Sequence, residues 1–381
     1  MKIASLTLKD KEERRLVRGH LWAYRNELQA DPVLEDGALV DLFAANRRFV
    51  ARGFYQAQGG IGARILTRRQ EEIDAAFFAR ALETALALRT QVFPGSTAYR
   101  WVFGESDGLP GLVIDRYGSV AVAQTACAFY ARQAEHIAAA VLATEGVQGL
   151  ILEAPSTPEA PARRTFGEVA EEAEVDLGGL RLHVPLQGGQ KTGMFLDQRV
   201  NAQMAAPLAA GLRVYDAHAN TGQWALRMAL AGAAHVHVGD TSKAALDLAA
   251  RNAALNGVEG VCTFENLPAE EVLARGQEFG MIVLDPPAFA KARAQGPKAL
   301  GRYQALNRAA IKALAPGGYL VSCSCSHFVA PEDFVETLKR AAIAEQRTLQ
   351  MLDFRGAAPD HPLLLTMPET DYLKCAVMRV L

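Results

Sequence analysis

Two stretches of the chain hold residue types that could do chemistry together. Met281 to Lys291 reads MIVLDPPAFAK, and Gly317 to Phe328 reads GGYLVSCSCSHF. An apolar, β-branched run ending in Asp-Pro-Pro has the pattern of a buried parallel strand that stops abruptly, because proline has no backbone N–H for the next ladder bond. Asp285 is thereby left at the strand's carboxyl end. About one helix later, Tyr319 to Cys325 repeats the pattern and ends in Cys323 and Cys325. Ligands of open α/β sheets sit outside the carboxyl ends of the strands. A carboxylate and a thiol are therefore expected beside one crevice.

That pair narrows the reaction. Methylating an exocyclic amine commonly uses Asp- or Asn-Pro-Pro followed directly by Tyr or Phe, whereas here Ala288 takes that place and Phe289 comes one later. Carbon 5 of a pyrimidine poses a different problem, since it is a poor nucleophile until something adds to carbon 6. A thiolate is the natural adduct former, and elimination follows once a base removes the carbon-5 proton. Cys323 and Cys325 lie two apart on one strand, so both are expected to point at the crevice. A metal pair would need further ligands, which are missing, and the ordinary fate of a free cysteine is burial as a small apolar residue. Asp285 tips the reading towards a nucleophile.

A nucleotide-like cofactor is expected on the other side of the crevice. Asp216 ends a strand, and Asp240 ends the next one 24 positions later. An acidic group at the tip of a second strand can accept both hydroxyls of a ribose. A dinucleotide needs a multi-glycine turn so that its pyrophosphate reaches the helix N-terminus, but the loop DAHANTGQW from Asp216 to Trp224 has only Gly222. S-adenosylmethionine is preferred over NAD on that ground. Upstream, GGQKTGMFLDQRVN at 188–201 offers glycines beside Lys191, Thr192, Asp197, Gln198 and Arg199, a loop suited to close backbone approach and polar grip on a ligand.

The elements that must position these groups alternate in period. From Leu212, strands Leu212–Asp216, His235–Asp240 and Val261–Glu265, the Asp285 strand and the Cys325 strand are separated by helices starting near Gly222, at Ser242 and near Leu300. This order means a parallel sheet covered on both faces. The tail segments HPLLLTM and YLKCAVMRVL are expected to add final strands, one of them an antiparallel edge. Before the sheet, residues 1–70 read as a small β-rich domain with turns at Asp36-Gly37 and Gly59-Gly60. Residues 71–180 read as an α+β central domain: a helix over 71–92, a hairpin at Trp101 to Gly118, a helix near Ala131 to Thr144, and an acidic linker or exposed hairpin from Glu153 to Asp176. Residues 181–381 hold the catalytic sheet.

Composition bounds the rest. With 50% hydrophobic and 22% charged residues, the chain is that of a soluble globular protein. Residues 1–70 carry 13 Lys or Arg against 8 Asp or Glu, so the net −2 leaves about −7 for the remainder. A basic module on a mildly acidic body fits attachment to a polyanion. Within it, RRLVRGHLW at 14–22 interleaves arginines with Trp22, which could stack on RNA or serve as core. Five cysteines, two of them only two apart, do not form a disulfide framework, and a cytoplasmic location is expected. No apolar run approaches a membrane span, and no metal site is expected.

Taken together, RLVRGHLWAYRNEL, ESDGLPGLVIDRY, GQKTGMFLDQR, LDPPAFAK, SCSCSHF and the DHP…YLK tail resemble the RlmI-like class I RNA methyltransferases, which make 5-methylcytidine in large-subunit ribosomal RNA. The resemblance spans nearly the whole chain. It implies a C-terminal Rossmann-like class I methyltransferase sheet preceded by a PUA-like domain and an α+β central domain. It also implies an S-adenosylmethionine pocket lined by Asp216, Thr221, Gly222, Asp240 and Asp285, with Gln190, Lys191 and Thr192 nearby and Asn266 or Pro268 at the adenine. The nucleophile would be the cysteine of a Ser-Cys-Ser element, a pattern that both cysteines satisfy; the one just before His327-Phe328 fits better, which selects Cys325 with Cys323 as alternate. The implied substrate is 23S ribosomal RNA or the large ribosomal subunit, with a homodimer permitted. A uridine or purine-nitrogen methyltransferase and a non-catalytic PUA-type RNA-binding factor are the alternatives.

Overall fold

The computed structural model describes residues 3–30, 32–156, 161–186, 193–276, 278–290 and 292–381. Chain contacts divide it into two compact units. The first is drawn from Met1–Val175, Pro185–Met194 and Pro359–Thr370, the second from Asp176–Val184, Phe195–Ala358 and Asp371–Leu381.

The first unit contains two sheets. Strands β1 (Ala4–Thr7), β2 (Trp22–Tyr24), β3 (Leu39–Phe43), β4 (Phe49–Tyr55) and β5 (Ile61–Thr67) lie in the order β1-β3-β4-β5-β2, with β1 parallel to β3 and the other pairs antiparallel. Val40, Leu42, Ala51, Ala63 and Ile65 fill its core together with Leu16 from the short helix α1 (Glu13–Val17). The aromatics of the RRLVRGHLW stretch have protein partners. Trp22 is half-buried, its indole N–H donates to Glu105 at 2.8 Å, and the Arg64 guanidinium lies 5.2 Å from its ring centroid. Arg15 pairs with Glu27 at 2.7 Å and sits 4.7 Å from the Tyr24 ring centroid.

The second sheet has the order β10-β9-β8-β7-β6, from β6 (Ala98–Phe103), β7 (Leu112–Tyr117), β8 (Val120–Thr125), β9 (Gly149–Glu153) and β10 (Arg163–Gly167). Helices α2 (Ala75–Val92) and α4 (Ala134–Leu142), the latter preceded by α3 (Ala128–Arg132), bury Phe78, Leu82, Ile137 and Val141 in one core with Ile114, Ala121 and Leu150 of the sheet. Helix α2 starts at Ala75 rather than 71 because Asp74 is its cap, accepting from the Phe77 amide at 2.9 Å. The acidic segment read as a linker or exposed hairpin takes the second form, supplying edge strand β10 antiparallel to β9. Its side chains are mostly exposed, which is why it lacks an apolar alternation to betray it. Two short strands, β11 (Glu172–Asp176) and β12 (Arg181–Pro185), follow.

Asp107, Asp115 and Arg116 serve structure. Fully buried Arg89 of α2 grips Asp107 through two bonds of 2.6 and 2.7 Å and also donates to the Asp360 and Arg100 carbonyls, each at 2.7 Å. Asp115 is fully buried against Arg100, and Arg116 bonds the Tyr99 hydroxyl and the Gly118 carbonyl. The HPLLLTM segment forms no strand. The Asp360 carboxylate just before it accepts the Arg100 amide at 2.9 Å and the His361 ring at 2.8 Å, so these polar groups are bonded through a side chain rather than by a ladder.

The second unit is built on a seven-stranded sheet of order β15-β14-β13-β16-β17-β19-β18, comprising β13 (Arg213–Asp216), β14 (His235–Gly239), β15 (Cys262–Glu265), β16 (Phe279–Leu284), β17 (Leu314–Ser324), β18 (Leu349–Arg355) and β19 (Lys374–Val380). The first five pair in parallel, and β19 inserts antiparallel between β17 and β18. Of the two tail segments expected to add strands, YLKCAVMRVL supplies β19, an inner antiparallel strand rather than an edge, and the edge is β18, which precedes both. Helices α5 (Arg199–Ala205), α6 (Gln223–Leu230) and α7 (Lys243–Leu255) cover one face, and α8 (Ala269–Leu273), α9 (Gly296–Ala313) and α10 (Pro331–Ala344) cover the other. Ser242 caps α7 by accepting the Ala245 amide at 3.3 Å. The order reverses at β13, since β14 and β15 lie to one side and β16 and β17 to the other. In such sheets the ligand crevice forms at that reversal.

Breaking the Arg89–Asp107 pair by Arg89→Ala leaves a largely buried carboxylate without its cation. The first unit is expected to lose about 3–5 kcal/mol of stability, read as a lower urea midpoint of its unfolding transition; a loss below about 1 kcal/mol would mean that this pair behaves like a surface pair.

Candidate active site

Three carboxylates stand at the ends of three adjacent parallel strands, and each is held differently. Asp240, just past β14, accepts the Asn220 amide at 2.9 Å through one oxygen and the Ser242 amide at 2.8 Å through the other. Asp285, just past β16, accepts the Gln198 side-chain amide at 3.0 Å on Oδ1 and the Trp224 indole N–H at 3.1 Å on Oδ2. Asp216, the last residue of β13, is fully buried; its Oδ2 accepts the Ala225 amide at 2.9 Å, and the His218 backbone amide also draws on the carboxyl. Burial pushes its carboxyl up to about 8 against the pull of the Ala225 amide, and the negative charges of Asp285 and Asp240 add to the rise.

The loop after β13 is shaped to sit among them. Asn220 adopts a left-handed φ of +48°, and its own side chain accepts the Thr221 amide at 2.8 Å. Gly222 has φ +89°, and a Cβ there would lie 3.2 Å from the Ala249 Cβ on α7. Only glycine makes that turn into α6 without strain and without pushing α7 away. Thr221 is buried, and its carbonyl accepts from Asn252 at 3.0 Å. His218 is half-buried; desolvation lowers its imidazole, which is therefore neutral, and its Nε2, itself out of contact with solvent, has no partner. Asn266, exposed beyond β15, donates to the Asp240 backbone carbonyl at 2.9 Å and so joins the same edge of the site.

The two cysteines part company. β17 ends at Ser324, so Cys323 lies within the strand, fully buried opposite Cys375, while Cys325 lies one residue beyond it and is half-buried. Burial drives the Cys323 thiol well above its ordinary value, as do hydrogen bonding and charge from Cys375. A buried, protonated thiol is a poor nucleophile. Cys325 instead directs its sulfur at the Pro286 carbonyl, 3.8 Å away and one residue from Asp285. Both thiols were expected on one strand face; the strand stops between them.

Ser326 fixes that turn. Its hydroxyl accepts the Phe289 and Ala290 amides at 3.1 and 3.3 Å and shares a 3.0 Å hydrogen bond with the buried Tyr303 hydroxyl. Its carbonyl accepts from buried Lys374 at 2.7 Å. The thiol turn is thereby tied to the loop that follows Asp-Pro-Pro. Gln198 is in turn held by Asn201, whose side chain donates to it at 2.7 Å, and neighbouring Asp197 accepts the Tyr372 hydroxyl at 2.5 Å. The grip of Gln198 and Trp224 on Asp285, and the roles of Ser326 and Tyr303, were not foreseen. Lys374 had a visible signal, as the single cation opening the apolar run KCAVM. Gln190, Lys191 and Thr192 lie outside the described residues. Among the described residues, no group of three His, Cys, Asp or Glu could hold a metal ion, and no helix is long and apolar enough to cross a membrane.

The comparisons follow from this geometry. Residues 125–364 match the model of the S-adenosylmethionine-dependent methyltransferases, and residues 6–68 match that of a PUA-like domain. Ribosomal RNA large subunit methyltransferase I of Aeromonas hydrophila is 36% identical over 398 residues, covering 99% of each chain. The chain belongs to this methyltransferase family. The protein of the same name from Klebsiella pneumoniae strain 342 is 33% identical, covering 99% of this chain and 98% of its own. Among solved structures, SMU.776, described as a methyltransferase complexed with SAH, superimposes with a TM-score of 0.86 at 19% identity, over 99% of this chain and 100% of its own. The tRNA m1G37 methyltransferase of M. jannaschii shares the fold at a TM-score of 0.53 and 12% identity, over 86% of this chain and 90% of its own.

The site suits the cofactor of a methyltransferase. The carboxylates of Asp240 and Asp285 at adjoining strand ends would repel a pyrophosphate, whereas they attract the cationic sulfonium and amine of S-adenosylmethionine. The His218 Nε2 is a buried polar atom without a protein partner. Asp240 lies beside the Thr221-Gly222 turn, accepting the Asn220 amide.

Because Asp216 binds its proton more tightly folded than unfolded, the unfolded chain releases that proton first as pH rises, and stability falls between about pH 4 and pH 8. Asp216→Asn mimics the protonated form and is expected to flatten this slope, read as the melting temperature of the cofactor-free protein against pH. Equal slopes for variant and wild type would show that Asp216 is already ionised in the folded state.

Proposed function

We propose that this protein methylates carbon 5 of a cytidine in 23S ribosomal RNA, using S-adenosylmethionine as methyl donor and Cys325 as nucleophile. The observation that carries the reading is the placement of the Cys325 sulfur 3.8 Å from the Pro286 carbonyl, next to a carboxylate gripped by two N–H donors. The named relatives are large-subunit ribosomal RNA methyltransferases, which supplies the substrate class.

In this reading residues 1–70 and 71–180 grip the RNA, and residues 181–381 carry the chemistry. The target base leaves its stack to enter the crevice. Cys325 adds to carbon 6, forming a C–S bond and concentrating electron density on carbon 5. The bound cofactor supplies an electrophilic methyl group. Loss of the carbon-5 proton to a base then expels the thiolate, breaks the C–S bond and restores the aromatic ring. Asp285, with Gln198 and Trp224 donating to its two oxygens, acts as an acceptor, and the exocyclic amine of cytosine is the donor that matches it. Uracil presents a carbonyl at that position, which a carboxylate repels. Asp240 holds the ribose hydroxyls, Thr221 and Gly222 line the cofactor, Gln190, Lys191 and Thr192 lie nearby, and Asn266 closes the adenine side. Cys323 supports the strand. The work is done in the cytoplasm.

Nucleoside mass spectrometry on ribosomal RNA incubated with S-adenosylmethionine tests this directly. Wild-type protein is expected to produce 5-methylcytidine, and Cys325→Ala to lower its rate by at least about a thousandfold. Survival of the product in Cys325→Ala would move the role to Cys323; 5-methyluridine or a methylated purine would remove the cytosine assignment.

A further inference from the structure

Lys374 is a buried charge that the steps above leave unused. It opens β19, where its register partner is Ser324, and only 3% of it is exposed. An ammonium taken out of water needs compensation, and its Nζ finds the carbonyls of Ser326 at 2.7 Å and Tyr372 at 2.8 Å. Ser326 follows Cys325 directly, so the cation is anchored one residue from the thiol. Two carbonyls make a tie, but a neutral side chain with N–H groups would serve a tie as well and at less desolvation cost.

The charges around the thiol are few. Tyr303 faces it from α9, His327 stands two residues on, Asp371 precedes β19 and Asp285 follows β16. Burial raises the Tyr303 phenol and lowers the His327 imidazole, so both are neutral near pH 7. Lys374 is pushed down to about 8 by burial, while Asp371 and Cys325 draw it back up. Below that value it still carries its proton. Among the described residues of this cluster, Lys374 is the positive charge and the two aspartates are the negative ones.

We propose that Lys374 is a positioning residue for the thiol: its ammonium holds the Cys325-Ser326 turn through the Ser326 carbonyl and favours the thiolate of Cys325 at neutral pH. The S–H proton passes to water, which half-buried Cys325 can reach, before the base arrives. A cation beside a cysteine is a general way to make the sulfur reactive. The proposal rests on Cys325 being the nucleophile, and its test is chosen to read the thiol without methyl transfer.

Alkylation by iodoacetamide, resolved by peptide mass spectrometry and followed from about pH 5.5 to 10 on the full-length protein, gives the titration of Cys325, with half-buried Cys262 as an internal control. The wild-type midpoint is expected below the ~8.5 of a free cysteine. Lys374→Met is expected to raise it by about one pH unit and slow alkylation at pH 7 about tenfold, while Lys374→Arg stays within about threefold of wild type. A wild-type midpoint at or above ~8.5 overturns the proposal without any variant, whether or not Lys374→Met folds. A Lys374→Met profile superimposable on the wild type overturns it too. If Cys325→Ala still methylates RNA while the alkylation shift is present, the nucleophile reading fails and the coupling stands; an inactive Cys325→Ala with an unshifted profile removes the coupling alone.

Discussion

The chemistry of this protein hangs on where one strand is made to stop. Pro286 and Pro287 cannot extend the β16 ladder, so the backbone leaves the sheet immediately after Asp285, at the position where the strand order reverses. Everything nearby is built on that departure. The freed Pro286 carbonyl meets the Cys325 sulfur, and the amides of Phe289 and Ala290, which have no ladder to join, are satisfied by the Ser326 hydroxyl. Backbone groups that a continuing strand would have consumed become the fixtures of a reactive turn. The same logic ends β17 at Ser324, which frees Cys325 from the sheet while Cys323 remains within it.

Crowding three carboxylates at adjacent strand ends is electrostatically costly, and the structure offsets this in three ways. Asp240 takes two backbone amides, Asp285 takes two side-chain N–H donors, and Asp216 keeps its proton. These solutions are ordered by depth. The most buried carboxyl is the one that neutralises, as desolvation demands. The outer two stay available as acceptors, which suits a cationic cofactor.

Much of this was legible in sequence, for identifiable reasons. The parallel sheet, the strand ends at Asp216, Asp240 and Asp285, and the capped helix after Ser242 all announce themselves through apolar runs, proline stops and cap residues, which are local signals. What failed to show was non-local. Strand β10 hid because its edge position leaves its side chains exposed, so Arg163–Gly167 has no apolar alternation. The HPLLLTM segment looked like a strand because leucines in a row do not reveal that Asp360 and His361 are held by side-chain partners. The inequality of Cys323 and Cys325 depends on a strand boundary one residue wide, finer than any period can resolve. Gln198, far upstream of Asp285, could be linked to it only by folding.

The loop DAHANTGQW joins two of the site's carboxylates into one mechanical element. Asn220 gives its amide to Asp240 at 2.9 Å, the left-handed turn at Gly222 starts α6, and Trp224, in the first turn of that helix, gives its indole N–H to Asp285 at 3.1 Å. Five residues therefore bridge the carboxylate proposed for the ribose and the carboxylate proposed for the base. An indole at this place does what a phenyl ring cannot, because only the indole has an N–H to give. The two carboxylates are thus held in fixed relation by one short turn, without any long-range relay.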